Sequence, residues 1–469
     1  MKRVGIAVVV LAILVAAVPW AIGWRTEQLV RARVTQVDND MAAKVRLRID
    51  RYQRGWRGSD ALFIVTEPDG GVLVMLNASI RHWPFASDGP ADWTAVPELG
   101  TPAREALGPW GEKLPELTTY TRLSWGGDVH TRIESPAFKR RVPEVAGGTL
   151  EVAAIAGTFD WKRDGALRYE LALPVFRVER LGGSTATATD VIEFKDAVLK
   201  GDGFLGTPER HWNQKGSLAA GSFSATEAGV TILTATKPTL TYASRDEGDF
   251  VAMQFAFAMA SVNARNTVQT LSDAGVEFSF EAKHLAKEPL GRLLDARAGA
   301  AAGRAPAGAP SQLEDTTYEL MRGSPATDMR FALQAREGRA EVKLAATFDG
   351  LGLEPKAGFD NWLRRLTAEL NARASTPLVV AATRKGTDAV AGMLRPPPRK
   401  NDALVLPETP SIDPDAAVRK QLNEAAAQGL IRFEGDEVVT VVRWSNGLLT
   451  INGNDMSALR DLARAFAGR

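Results

Sequence analysis

Several stretches of this chain alternate apolar and polar residues with a period of two, and that alternation constrains the fold more than any other feature. Val251, Met253, Phe255, Phe257 and Met259 share one side of an extended segment, and Ala252, Gln254, Ala256 and Ala258 share the other. Successive side chains of a strand point to opposite faces, so such a run has one apolar and one wet face, as strands of antiparallel sheets do. The rhythm recurs at Val45, Leu47 and Ile49, at Tyr169, Leu171, Leu173 and Val175, at Val276, Phe278 and Phe280, and at Val342, Leu344 and Phe348. Turn chemistry at Pro68-Asp69-Gly70-Gly71, Asp164-Gly165 and Asn446-Gly447 predicts hairpins between such runs. The predicted fold class is mainly β with minor α: an elongated antiparallel β body with a few covering helices.

The N-terminus differs in kind. Val4 to Trp24 is a run of 21 uncharged residues between Lys2-Arg3 and Arg25. At about 1.5 Å per helical residue it spans roughly 30 Å, the thickness of a bilayer's hydrocarbon core. A single transmembrane helix is expected, with Trp20 and Trp24 at the membrane interface. Ala21-Ile22-Gly23 offers the competing reading of a cleaved signal peptide, but the run is longer than a signal core of about 7–15 residues. Leu29, Val30, Val34, Val37 and Met41 recur every three or four residues and continue the helix as a stalk. With no second span, the rest of the chain is expected on one side of the membrane.

The expected organisation is an anchor over residues 1–25, a helical stalk over 26–44, an antiparallel β body over 45–296, an Ala/Gly/Pro-rich linker over 297–311, and a C-terminal α+β part over 312–469 that continues the β body. The linker and the stretch around Pro396-Pro397-Pro398 are expected to lack packed structure. Helical stripes are predicted at Trp362, Leu366 and Leu370, at Val418, Leu422 and Ala425, and at Leu459, Leu462 and Phe466. Asp413-Pro414 starts the second of these and Gly429 stops it.

Composition removes whole classes of chemistry. The 57 basic and 56 acidic residues nearly cancel, so the chain lacks the footprint of a nucleic-acid binder. It has no cysteine, which excludes disulfides, thiolate catalysis and cysteine-based metal sites. His82, His130, His211 and His284 are scattered, none with a His or Cys at metal-binding spacing, and His82 reads as rim packing at a strand end. Gly201-Asp202-Gly203-Phe204-Leu205-Gly206 fits the dinucleotide fingerprint, but no helical stripe follows it, so it reads as a glycine-rich turn. No catalytic residue, cofactor or metal is expected.

One short motif stands apart. Tyr52-Gln53-Arg54-Gly55-Trp56 interrupts the alternation about 25 residues beyond the apolar run, and Arg57-Gly58 follow. The glycines relieve crowding where a strand bulges, Tyr52 and Trp56 pack on the sheet, and Arg54 reaches a carboxylate or a lipid phosphate. This motif behind a single span, together with Gly429-Leu430-Ile431 and Trp444 to Gly453 near the C-terminus, resembles the YdgA-like bacterial family, a domain of unknown function (945) found in Gram-negative envelopes. Arg57-Gly58 depart from that family's pattern, which has an apolar residue before Ser59. The resemblance implies an inner-membrane protein with a single pass and its body in the periplasm, and carries no catalytic residue over.

The expected function is non-enzymatic: envelope maintenance by binding lipid or another envelope component. The alternatives are a protein-binding scaffold without a ligand groove and, third, an envelope hydrolase. The apolar side of Phe250 to Met259 has few helices to cover it, so a folded-over sheet with an open apolar interior is expected to take an acyl chain. The candidate lipid contacts are Phe255 and Phe257, with Arg54 and Trp56. The expected partners are the inner membrane, through the N-terminal helix, and lipid or an envelope protein.

Overall fold

The computed structural model describes residues 21–39, 45–82, 89–107, 116–142, 148–181, 189–204, 212–265, 270–301, 309–354, 359–383 and 414–456. The chain divides into two compact units, Met1–Val230 and Thr231–Arg469. The division falls inside the span 45–296 that alternation alone reads as one body.

The first unit begins with helix α1 (residues 21–39), followed by β1 (Arg46–Arg54), β2 (Gly58–Thr66), β3 (Val72–His82), β4 (Ala91–Leu99), the short helix α2 (Thr101–Leu107), β5 (Thr118–Leu123) and β6 (Val129–Ser135). It continues through β7 (Phe138–Val142), β8 (Gly148–Val152), β9 (Ile155–Trp161), β10 (Ala166–Leu181), β11 (Thr189–Phe204), β12 (Gln214–Ala219) and β13 (Ser222–Glu227). Consecutive strands β1 to β6 pair antiparallel, β6 pairs with β9, and β9 leads to the long hairpin β10–β11. The predicted hairpins form: Gly70 and Gly165 take positive φ at the β2–β3 and β9–β10 turns.

Register keeps the two faces chemically distinct. Arg81, Asp92, Arg122, His130, Asp160, Arg168, Asp202 and Lys215 are successive cross-strand partners in one row across the sheet. Within it, Arg168 Nε lies 2.8 Å from Asp202 and His130 Nδ1 lies 2.6 Å from Asp160. The next row, on the opposite face, runs Ile80, Trp93, Thr121, Thr131, Phe159, Tyr169 and Gly201. Gly201 therefore sits within a strand, not a turn, and Tyr169 lies over it: a Cβ there would fall 2.4 Å from the phenol ring. Gly206 lies outside the described residues.

Helix α1 is not a free stalk. Its stripe packs on the apolar face, where Val30 joins Ala61, Phe63, Ala78, Ile80 and Leu123 in the core, with Leu29 and Val34 against them. The stripe that reads as a continuing helix is thus a covering face. Trp24, on the same helix, is exposed. Trp20 and Met41 lie outside the described residues, as does nearly all of the apolar N-terminal run. Among the described residues no helix is long and apolar enough to cross a membrane.

The second unit opens in β14 (Val230–Thr236) and runs through β15 (Thr239–Glu247), β16 (Phe250–Arg265) and β17 (Thr270–Ala286) to helices α3 (Lys287–Ala301) and α4 (Ala309–Arg322). There follow β18 (Ala326–Ala335), β19 (Gly338–Phe348), α5 (Phe359–Arg365), β20 (Leu366–Ser375), α6 (residues 376–383), α7 (Pro414–Ala427), β21 (Arg432–Glu434), β22 (Glu437–Ser445), β23 (Leu448–Ile451) and β24 (Asn454–Asp455). The sheet runs β15–β16–β17–β18–β19–β20–β22–β23, all antiparallel.

Both ends of the Ala/Gly/Pro-rich segment 297–311 are helical, since α3 runs on to Ala301 and α4 begins at Ala309. Alanine and arginine are strong helix formers. The helix expected through Trp362, Leu366 and Leu370 stops at Arg365, and Leu366 and Leu370 belong to β20. A spacing of four suits both periods; the strict alternation from Leu366 to Ser375 is what selects the strand. Helix α7 starts at Pro414 and ends at Ala427, two residues before Gly429, whose φ is +74°, while Asn446 and Gly447 both take positive φ in the β22–β23 turn. Asp413, residues 396–398 and the stripe at Leu459, Leu462 and Phe466 lie outside the described residues.

Candidate functional site

The Tyr52 to Gly58 motif forms the hairpin turn between β1 and β2, not a bulge within a strand. Gly55 N donates to Gly58 O at 2.7 Å, and the bulge of this strand pair lies between Ile49 and Arg51 instead. A Cβ on Gly58 would fall 2.7 Å from the carbonyl oxygen of Ile80, so close strand approach requires glycine there. Trp56 stays half-exposed at the turn with Arg57 stacked on its ring, 4.8 Å to the centroid. Arg54 finds a carboxylate, that of Glu27 on α1 at 3.5 Å, and Glu27 also pairs with Arg31 at 2.9 Å. The motif therefore docks α1.

Beneath that contact lies a buried polar cluster. His82 is buried, not at a rim, and shares a hydrogen bond with Ser59 through Nε2 at 2.8 Å. Helix and sheet meet closely here because Gly23 has no side chain; a Cβ would touch both Arg54 and His82 Nε2 at 3.4 Å. Thr26 Oγ1 and His82 Nδ1 are buried without a hydrogen-bond partner, and the buried Tyr52 OH lies beside Ser59. Each such group costs about 1–3 kcal/mol, so α1 is held less firmly than its apolar contact alone implies. A serine and histidine at this distance match a nucleophile and its base. Here Nδ1 lacks the orienting carboxylate, and the helix covers both side chains.

Burial pushes the His82 pKa below its ordinary value and the Tyr52 phenol above its own. As pH falls through the unfolded histidine's value, about 6.5, the unfolded chain takes up the proton first and folded stability declines until the folded pKa is passed. His82→Gln should flatten the fall in stability as pH drops below about 6.5 relative to wild type. Parallel curves for the two proteins in denaturant titrations would refute this coupling.

The second unit carries a different feature. Tyr242, Phe255, Phe280, Met329, Leu344, Leu370, Val442 and Ile451 are successive partners in one apolar row across eight strands. None of them is fully buried. Helices α3 and α4 pack on each other and cover one end of this face, leaving a groove of ≈580 Å³. It is lined from the sheet by Met253, Phe255, Phe280 and Leu366, and from the helices by Leu290, Leu293, Leu294, Leu320 and Met321. Phe255 and Phe280 each remain 37% exposed, so the face is open, not a closed core.

Of the residues singled out from sequence, Phe255 lines the groove. Phe257, two residues on, pairs with Phe278 in the neighbouring row and is half-buried outside that lining. Arg54 and Trp56 belong to the first unit. The helical wall was legible in the i, i+3, i+4 spacing of Leu290, Leu293 and Leu294; Phe280 required the register of β16 against β17. Among the described residues no group of His, Asp and Glu could hold a metal ion, and His211 lies outside them.

No curated protein and no solved structure matches this chain. The model of a bacterial protein family of unknown function (DUF945) matches residues 1–458, which is nearly the whole length. Spanning the opening hairpin that docks α1, the apolar face and the closing hairpins alike, that match shows that the chain belongs to this family.

Proposed function

We propose that this protein is a non-enzymatic binder of lipid acyl chains, anchored in the bacterial inner membrane by its N-terminal run with its body in the periplasm, and that it serves envelope maintenance. The observation that carries this reading is the open groove beneath α3 and α4. Its ≈580 Å³ falls within the ~300–1,000 Å³ of small-molecule sites, and its walls are mostly leucine, methionine and phenylalanine. Large apolar side chains left in water forgo about 1.5–3 kcal/mol each, which an acyl chain laid along the row returns. Membership of a bacterial family and the 21-residue uncharged run support the envelope setting.

The test is lipid mass spectrometry on full-length protein purified from carbonate-washed membranes. Wild type should retain stoichiometric lipid; Phe280→Ser and Leu294→Gln should lose most of it, while Phe257→Ser keeps it. Equal lipid loads in wild type and both groove variants, or none in wild type, would refute the reading.

A further inference from the structure

Helix α1 closes over a second, smaller cavity, of ≈190 Å³, in the first unit. Val30, Val34 and Val37 of the helix face Phe63, Trp93 and Trp161 of the sheet across it. The only charged residue along the lining is Arg33. Its guanidinium stacks on Trp161 at 4.5 Å. Nε and Nη2 donate to the carbonyl of Gly127 at 3.2 and 2.8 Å, and Nη1 donates to Gln36 Oε1 at 2.7 Å and to the carbonyl of Arg163 at 3.3 Å.

Every acceptor of Arg33 is neutral. The neighbouring carboxylate of Asp128 is engaged elsewhere, by Lys162 Nζ at 3.4 Å and the backbone N–H of Arg163 at 2.8 Å. Asp164 accepts from the backbone N–H of Ala166. Burial holds Arg33 below its ordinary pKa; Asp128 and Asp164 oppose that shift and Arg163 adds to it. A partly desolvated cation without an anion in direct contact, at the edge of an apolar cavity, matches a ligand with the same division of chemistry.

We propose that this cavity binds a small anionic amphiphile, a carboxylate or phosphate monoester whose short alkyl chain lies beneath α1 and whose anion pairs with Arg33. The volume holds roughly six groups of water size, so a chain of about six to eight carbons fits, and an apolar cavity of this size favours such a guest over water. The site lies wholly within the first unit and stands independently of the acyl groove in the second. Arg33 selects the anion, and the valine and tryptophan walls select the chain.

The experiment uses full-length protein carrying 5-fluorotryptophan, in lipid nanodiscs, with the Trp161 resonance assigned through Trp161→Phe. Octanoate, octyl phosphate and neutral octanol are titrated separately. Both anions should shift the Trp161 resonance saturably, at concentrations about tenfold below octanol, the difference one charge-assisted contact supplies. The tighter of the two identifies the head group. Arg33→Gln should bring both anions to the octanol level, and Val34→Trp should abolish the response to all three. If Val34→Trp does not fold, Val37→Phe fills the same cavity. The proposal is overturned if the Trp161 resonance does not respond saturably, if octanol matches the anions in wild type, if Arg33→Gln leaves the anions unchanged, or if Leu294→Gln in the second unit removes the response.

Discussion

Gly350→Ala will empty the groove of the second unit and lower its melting temperature by several degrees. A Cβ on Gly350 would lie 2.2 Å from the carbonyl oxygen of Met321, 2.6 Å from that of Arg322 and 2.7 Å from the Arg322 carbonyl carbon. These are backbone atoms at the end of α4, so no rotamer change relieves the contact and the helix end must move. The loop it would push against is tied down: Gly350 N donates to Ser324 Oγ at 3.0 Å, and Tyr318 OH donates to the carbonyl of Leu353 at 2.7 Å. Leu320 and Met321, which line the groove, move with the helix end. Overpacking of this kind costs about 1–3 kcal/mol or more, and about 2–4 °C per kcal/mol follows for a unit of this size. Gly352→Ala is the control, with open space around it but a φ of +64°. It should cost about 1–2 kcal/mol through backbone strain and leave lipid bound. Calorimetry and lipid analysis on both variants decide the matter; indistinguishable lipid loads would show that the end of α4 does not shape the groove.

Val30→Asp should have the larger effect on the first unit. Val30 is 6% exposed, among Ala61, Phe63, Ile80 and Leu123, and Arg33, one turn further on and lining the same cavity, already donates to the carbonyls of Gly127 and Arg163 and to Gln36. Burying an unpaired charge costs several kcal/mol, so the carboxyl stays protonated or α1 lifts from the sheet. Thr26 and His82, already short of hydrogen bonds, offer little resistance to lifting. The expected result is a loss of about 3–5 kcal/mol in denaturant unfolding of the first unit, with binding of an apolar dye to the uncovered face. Raising the pH should deepen the loss, since the carboxyl then ionises. A variant as stable as wild type, without dye binding, would show that α1 is dispensable to the core.

Local periodicity was enough to define several of the strands, because an alternation of two is a property of neighbouring residues and survives in any antiparallel partner set. The strands of Val276 to Phe280 and Val342 to Phe348, the turn at Asn446-Gly447 and the stop at Gly429 all follow from residues within a few positions of one another. Where two periods share a spacing, as at Trp362, Leu366 and Leu370, the longer alternation had to be weighed, and a four-residue interval misleads. The stripe of α1 announced a buried face without naming what buries it. Only tertiary structure decided that it is the sheet, that Arg54 meets Glu27, and that Ser59 meets His82 across 23 positions. The same holds for the groove: Phe255 was visible as one member of an apolar side, but its exposure depends on Phe280, 25 positions away, and on how far α3 and α4 extend over the row. Sequence determined which side of each strand is apolar; register and helix placement, which arise from contacts distant in the chain, decided which part of that side is covered and which is left open.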